Sequence, residues 1–152
     1  MQPLHIAAAS EADYEWCARL MATSEPWMTL RRDLEGCRAA LTRPGTELFL
    51  ARDERAGQRF GFILLAAYGF AASPYVASIG VAPESRGRSV GSQLMAFAEQ
   101  RYVDRGHLFL LVSSFNPRAQ SFYRERGYQF VGELKEYIIP GHSELIFHKR
   151  LP

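Results

Sequence analysis

Two stretches of this chain have residue types and spacings that could do chemistry. The first runs Val81-Ala82-Pro83-Glu84-Ser85-Arg86-Gly87-Arg88-Ser89-Val90-Gly91. A strand ends, a tight arginine and glycine turn follows, and a helix begins. The opening N–H groups of a helix have no internal acceptor, and the helix dipole puts partial positive charge there. Gly87 and Gly91 let a ligand come close to the backbone. Such a place suits a phosphate or pyrophosphate. On residues alone, a glycine-containing turn before a helix also reads as a turn and nothing more. The stretch has neither the Gly-Lys-Ser/Thr ending of a nucleoside-triphosphate loop nor the three-glycine dinucleotide fingerprint. The second stretch is Asn116-Pro117-Arg118-Ala119-Gln120-Ser121-Phe122-Tyr123-Arg124-Glu125-Arg126-Gly127-Tyr128. Asn as N-cap and Pro at the first helical position start a helix. Asn116 and Tyr123 then lie about two turns apart, on one helix face. By itself Tyr123 reads as a half-buried aromatic that anchors this helix.

Both stretches must be held by regular elements, and the hydrophobic periodicity predicts them. A strand is expected over 4–8. Ser10 caps a helix with Glu11 and Asp13 in its first turn, and Ala12, Trp16 and Leu20 at spacing four carry it to about Met21. Glu25-Pro26-Trp27 breaks that helix. Thr29 or Asp33 starts another, with Leu30, Leu34, Cys37 and Leu41 on one stripe, and Arg43-Pro44-Gly45 stops it. Strands over 47–52 and 59–68 form a hairpin, and 75–81 is a further strand after a loop over 69–74. A helix over 90–105 closes at Gly106. The nearly unbroken apolar run 108–113 reads as a strand buried on both faces. The helix after Asn116 ends at Gly127, and 128–139 with 143–149 makes a closing hairpin. The order β-α-α-β-β-β-α-β-α-β-β gives a mixed α/β (α+β) domain on one central sheet, with a parallel crossover around the Val90 helix.

Composition bounds the rest. A chain of 152 residues is one domain, 1–152, with room for a real core. With 47% hydrophobic and 22% charged residues the chain is globular rather than disordered. A formal charge of +2 is too mild for a nucleic-acid protein. No apolar run approaches the roughly 20 residues that cross a bilayer, and the N-terminus lacks a basic start followed by an apolar stretch. Cys17 and Cys37 have no metal-binding spacing, and a disulfide scaffold is not expected. No metal is expected, and a soluble cytoplasmic protein is the default. Lys135 and Lys149 are the only lysines, which leaves little scope for Schiff-base chemistry.

Together, in this order, the two stretches resemble the GCN5-related N-acetyltransferase (GNAT) superfamily. Arg86-Gly87-Arg88-Ser89-Val90-Gly91 is similar to the family's Gln/Arg-x-x-Gly-x-Gly/Ala coenzyme A loop, matching at Arg86 and Gly91, with Ser89 at the first motif glycine. The later stretch is similar to the family's Asn-x-x-Ala-x-x-Phe/Leu-Tyr-x-x-x-Gly-Phe/Tyr block at Asn116, Ala119, Phe122, Tyr123, Gly127 and Tyr128. The resemblance implies a mostly antiparallel sheet of about seven strands with about four helices, splayed between the fourth and fifth strands. Acetyl coenzyme A would lie in that gap. Its pyrophosphate would take N–H groups from Arg86, Gly87, Arg88, Ser89, Val90 and Gly91, and the Ser89 hydroxyl could add a donor. Its pantetheine arm would run beside Ile79, Gly80 and Val81. Asn116 belongs to the same coenzyme face, and Arg118 would reach a phosphate.

The resemblance also implies direct attack of a primary amine on the thioester in one ternary complex. A backbone N–H near Ile79 or Gly80 would hold the thioester oxygen as it becomes negative. The leaving thiol has an ordinary pKa of about 8.5, so an acid near it helps, and Tyr123 matches the family's usual proton donor. The attacking amine must be neutral, yet no acidic residue lies between Ser73 and Pro83, and Tyr75 stands where some members carry a glutamate. Glu84, Glu25, His142, a water relay, or an amine that arrives partly neutral all remain open as routes for that proton. Trp27 and Met28 lie in the inter-helix loop, which in this superfamily commonly lines the acceptor pocket. Trp27 reads equally as a core cap, and Arg31 and Arg32 as an acid-attracting pair or a solvated face. Residues 133–140 are similar to the last hairpin of ribosomal-protein N-terminal acetyltransferases. The acceptor stays open among small metabolites, antibiotic-like amines, protein N-termini and lysines. A non-catalytic acyl-CoA sensor of the same fold is the alternative, and the sheet edges permit a homodimer.

Overall fold

The computed structural model describes residues 4–152. Eleven regular elements follow the expected order: β1 (Leu4–Ala8), α1 (Glu11–Ala22), α2 (Leu34–Leu41), β2 (Thr46–Asp53), β3 (Arg59–Phe70), β4 (Ser73–Val81), α3 (Val90–Arg101), β5 (His107–Ser113), α4 (Pro117–Glu125), β6 (Gln129–Leu134) and β7 (Glu144–Arg150). The strands make one seven-stranded sheet in the order β1-β2-β3-β4-β5-β7-β6. Every neighbouring pair is antiparallel except β4 with β5. Parallel neighbours need a crossover, and α3 is that crossover.

Side chains alternate across the sheet with a period of two, and both faces are covered. On one face Leu48, Leu50, Phe62 and Leu64 meet Cys17, Met21, Trp27 and Leu41 of the α1–α2 layer. On the other, Phe49, Ile63, Val76, Leu108, Leu110 and Val112 pack with Val90, Leu94 and Met95 of α3 and Tyr123 of α4. This two-sided burial is why the strand sequences read as unbroken apolar runs. Cys17 and Cys37 are free and buried, and burial pushes the Cys17 thiol up to about 12.

Asp13 does more than favour the start of α1. Its Oδ2 accepts from the Ser10 backbone N–H at 2.8 Å and the Ser10 hydroxyl at 3.0 Å. The same carboxylate, 1% exposed, pairs with Arg52 of β2 at 2.6 Å and Arg59 of β3 at 2.8 Å. The helix start is thereby tied to two strands.

Four boundaries differ from expectation. The second helix starts from Asp33, whose Oδ1 accepts from Gly36 N–H at 2.8 Å, and residues 23–33 stay irregular. β4 begins at Ser73 and includes Pro74. Proline lacks the ladder N–H, but β5 pairing starts only at Tyr75. α3 ends at Arg101, and a 3-10 turn over Val103–Arg105 leads into Gly106 at φ +80°. β6 ends at Leu134 rather than near 139. Glu136 takes a positive φ of 48° and its carboxylate turns back to Gly141 N–H at 2.7 Å, making a broad turn.

Candidate active site

The site begins at an interruption in the sheet. β4 and β5 pair only at Tyr75↔Phe109 and Val76↔Leu110. One step later the β3–β4 register shifts, with Leu65 opposite Val76 but Leu64 opposite Ser78, so Ala77 is an extra residue. Such a bulge bends its strand, and the bend falls where the β5 pairing stops. Ala82 N–H donates to Phe60 at 2.8 Å. Antiparallel pairs alternate between bonded and non-bonded, so Gly80 directs its polar groups to Phe62 of β3, while Ile79 and Val81 direct theirs to the open side. Of the two amides considered for the thioester oxygen, only that of Ile79 faces the gap. Gly80 has a packing reason instead: a Cβ there would stand 2.5 Å from Cε1 of Phe62.

Beyond Val81 the chain makes a 3-10 turn over Pro83–Ser85 and then a short loop into α3. Gly87 at φ +79° and Ser89 at φ +59° both occupy the left-handed region. The first-turn amides at Val90, Gly91 and Ser92 therefore point out of the helix start, where an α-helix has no acceptors of its own. Ser89 Oγ donates to the Arg88 carbonyl at 2.7 Å, so this hydroxyl proton is spent on its own backbone. Arg86 folds back: its Nε donates to the Val81 carbonyl at 3.1 Å and its Nη2 to Ser24 Oγ at 3.4 Å. Arg88 is exposed. At Gly91 an added Cβ would meet Phe122 Cζ at 3.5 Å and Val81 Cγ2 at 3.9 Å, ordinary contacts. Packing does not require glycine there; its absence of a side chain leaves room between α3, β4 and α4.

α4 closes this side. Asn116 Oδ1 caps it from Ala119 N–H at 3.2 Å, and Arg118 is exposed. Tyr123 is 7% exposed, with its ring edge-on to Phe122 and Tyr128. Tyr128 in turn donates to Glu99 of α3 at 2.9 Å, and Glu99 also holds Lys149 of β7 at 3.3 Å, so the ring against Tyr123 is fixed from two sides. Burial pushes the Tyr123 phenol well above the usual tyrosine range, against a small opposing pull from Arg126.

The α1–α2 face carries the remaining candidates. Glu25 is exposed and spends both oxygens on Thr29, from the backbone N–H at 2.9 Å and the hydroxyl at 2.6 Å. Trp27 is buried against Phe62, with ring centroids 6.3 Å apart, and so joins the core. His142 stands edge-on to Phe115, and Glu84 is exposed. Tyr75 stacks on Phe70, which stacks on Phe109. Burial, with the nearby Glu144 carboxylate, pushes the Tyr75 phenol up to about 12. Glu144 itself was not singled out from the sequence. It opens β7 opposite Ser113 of β5, is 5% exposed, and accepts from Ser113 Oγ at 2.8 Å. Burial raises its carboxyl above the ordinary range, while Ser113 and Arg32 pull the other way. A lone glutamate beside Ser143 gives no sequence signal of burial; the β5–β7 register makes it.

The sheet thus splits beside a glycine turn and a helix start. Residues 9–128 match the family model described as Acetyltransferase (GNAT) family. The chain belongs to the GNAT acetyltransferase family. No curated protein matches the sequence. Among solved structures, this GNAT protein is similar to a nourseothricin acetyltransferase at 30% identity, with a TM-score of 0.64, over 72% of this chain and 67% of that one. A GNAT-family protein from Desulfovibrio desulfuricans superposes with a TM-score of 0.80 at 16% identity, over 99% of this chain and 100% of that one. An aminoglycoside 6'-N-acetyltransferase complexed with coenzyme A gives 0.75 at 14%, over 97% and 98%. The last two likenesses establish the fold. Acetyl coenzyme A is the acetyl donor of the family. Among the described residues, no helix is long and apolar enough to cross a membrane.

Proposed function

We propose that residues 1–152 are one N-acetyltransferase domain that moves the acetyl group of acetyl coenzyme A to a primary amine within one ternary complex. The observation that carries this reading is the pairing of an open β4 edge at Ile79 and Val81 with the helix start at Val90 and Gly91. The residues present fit the donor. Gap-facing amides suit the amide-rich arm, and the outward first-turn amides suit an anionic diphosphate. The room at Gly91 is a cradle that a Cβ would fill. When bound, the donor supplies an activated thioester carbonyl.

The chain's own residues do the rest. Arg86, Gly87, Arg88, Ser89, Val90 and Gly91 hold the diphosphate, with Asn116 and Arg118 at its flank. Ile79 N–H donates to the thioester oxygen as negative charge grows there; such a donor is typically worth about 10²–10³ in rate. Tyr123 keeps its proton across the working pH range and donates toward the departing sulfur. The burial that raises the phenol also raises the pKa of a thiol beside it, so the departing sulfur becomes a stronger base as the phenol becomes a weaker acid. Tyr75 borders the acceptor side, while Trp27 is committed to the core against Phe62 and Glu25 to Thr29. Holding both reactants in one site supplies much of the remaining acceleration.

The acceptor is a small or peptide amine rather than a nucleic acid, given the near-balanced charge. The exposed β6 edge, with Phe130 and Val131, is where a homodimer would form. The test is calorimetric titration of coenzyme A, followed by free-thiol release from acetyl coenzyme A with nourseothricin, spermidine and an alanine-terminated peptide. Saturable binding with thiol release supports the enzyme. Binding without release by any amine supports the acyl-CoA sensor. Absence of binding sinks both.

A further inference from the structure

We propose that Glu144 receives the amine of the acceptor and takes its proton, with Ser113 as the residue that aims it. This deepens the acetyltransferase reading and rests on it.

The argument starts from register. The last parallel pair is Val76↔Leu110; beyond it β4, which carries the extra residue Ala77, and β5 no longer pair, so Ile79 and Ser113 both lie past the split. Ser113 is opposite Glu144 in the β5–β7 ladder. A buried carboxylate therefore stands on the β5–β7 side of the split, past which Ile79 and Val81 of β4 direct their polar groups to the open side. Only one carboxylate oxygen is used: Oε2 accepts from Ser113 Oγ at 2.8 Å. Oε1 has no hydrogen bond to a described residue, and it is not among the fully enclosed unpartnered atoms. It thus keeps an opening to the outside of the protein. A nine-tenths buried carboxylate with one free, reachable oxygen matches an ammonium group better than a structural ion pair, which would satisfy both.

The surroundings are named by element. Ser113 faces Glu144 from β5, Tyr75 from β4, and Arg32 from residues 23–33. Tyr137, from the turn between β6 and β7, acts on Tyr75. Burial raises the Glu144 pKa above the ordinary carboxylate range, the direction that makes it a stronger general base. The step balances. One N–H bond of the ammonium breaks, its electron pair stays on nitrogen, and the proton goes to Oε1. That pair forms the N–C bond to the acetyl carbon. The C–S pair leaves on sulfur, which takes a proton from Tyr123. The proton then shed by the new amide nitrogen restores the phenol through solvent, and Glu144 returns its own proton to water. The net change is one acetyl moved and one proton released.

The test compares kcat/KM with pH from 6 to 10 for wild type, Glu144→Gln and Ser113→Ala, with nourseothricin, spermidine and the alanine peptide as acceptors. A side-chain ammonium has an ordinary pKa of about 10.4. Glu144→Gln should lose about 10²-fold at pH 7. The deficit should narrow toward pH 10, where the amine arrives neutral. Ser113→Ala should keep the plateau rate but move the ascending limb to higher pH, since the lost hydrogen bond favoured the carboxylate. Coenzyme A titration should be the same in all three proteins. A Glu144→Gln deficit that is uniform across pH, or smaller than twofold at pH 7, overturns the proposal while leaving the coenzyme reading intact. An unmoved limb in Ser113→Ala overturns the role of Ser113. Loss of coenzyme binding in wild type takes down the parent reading and this one with it.

Discussion

Arg86 donates its Nε to the carbonyl of Val81, folding the first side chain of the anion loop back over the last residue of β4. The same guanidinium reaches Ser24 beyond the end of α1. The matched arginine is thus as much a brace as a charge. It ties the gap-facing strand end to the turn that aims the first amides of α3, and to the acceptor-side segment.

Two substitutions separate brace from charge. A lysine in place of Arg86 would keep the charge but cannot make the forked contact, because an ammonium lacks the planar spread of donors. If bracing dominates, Arg86→Lys and Arg86→Ala should weaken coenzyme A binding by a similar factor, about tenfold. Stability should move by no more than about 0.5 kcal/mol, because the side chain is exposed. Calorimetric Kd values decide it: a lysine variant that binds like wild type would assign Arg86 a purely electrostatic part.

Gly91 and Gly80 offer a paired test of why each is glycine. At Gly91 a new methyl meets its neighbours at ordinary distances, and alanine favours helix. Gly91→Ala should leave Tm unchanged or slightly raised, yet weaken coenzyme A at least tenfold by filling the cradle. At Gly80 the methyl would run into the Phe62 ring, which is wholly buried. Overpacking of that kind costs about 1–3 kcal/mol, so Gly80→Ala should lower Tm. Unaltered coenzyme binding in Gly91→Ala would remove close approach at that amide from the account.

The contrast between these glycines shows how much the sequence made legible. Strand and helix order followed from periodicity because both sheet faces are covered, so burial tracks hydrophobicity closely. The coenzyme stretch was legible because turn, glycine and helix start are neighbours in sequence. Ser89 at the motif glycine is accommodated by a left-handed φ that serine adopts at some cost. The acceptor side was not legible. Glu144 acquires its place only through β5–β7 pairing and the approach of Arg32, contacts between residues far apart in the chain. Trp27 and Glu25 looked available because their loop is polar and broken, but Trp27 packs on Phe62 and Glu25 is taken up by Thr29. The bulge at Ala77, which opens the gap, has no local signal either, since a bulge is defined by the partner strand.

The Asp13 cluster gives a pH prediction. Burial alone would raise this carboxyl, but the Ser10 backbone bond and then the Arg59, Ser10 and Arg52 contacts outweigh it and hold it below the usual range. A lowered folded-state pKa contributes stability above the unfolded value of about 3.9 and loses it as pH falls through the folded value. Asp13→Asn should therefore destabilise at pH 7 by about 2 kcal/mol. That is less than the 3–5 kcal/mol for a fully buried pair, because both arginines are about a third exposed and water can replace part of the contact. Thermal melts from pH 7 down to pH 2 should show the two proteins converging in acid. A gap that stays constant across that range would mean that the pairs contribute nothing beyond packing.

Tyr123 carries the most direct test of the transfer step. Its ring is held by Phe122 and Tyr128, so Tyr123→Phe removes one oxygen and leaves the packing in place. Coenzyme A affinity should stay within twofold, while kcat for the amine falls about 10²-fold, the usual loss for one proton-transfer group. Because burial holds the phenol well above the ordinary tyrosine range, its titration should not appear in the wild-type profile below pH 10. A descending limb near pH 9 that vanishes in Tyr123→Phe would show a phenol far more acidic than this burial allows. An unchanged kcat would dismiss Tyr123 as the donor and leave sulfur to be protonated from water. Thiol leaving groups of lower pKa, such as a thioester of an aromatic thiol, sharpen the comparison. They need no acid, so the two proteins should react with them at equal rates if Tyr123 acts only at the departing sulfur.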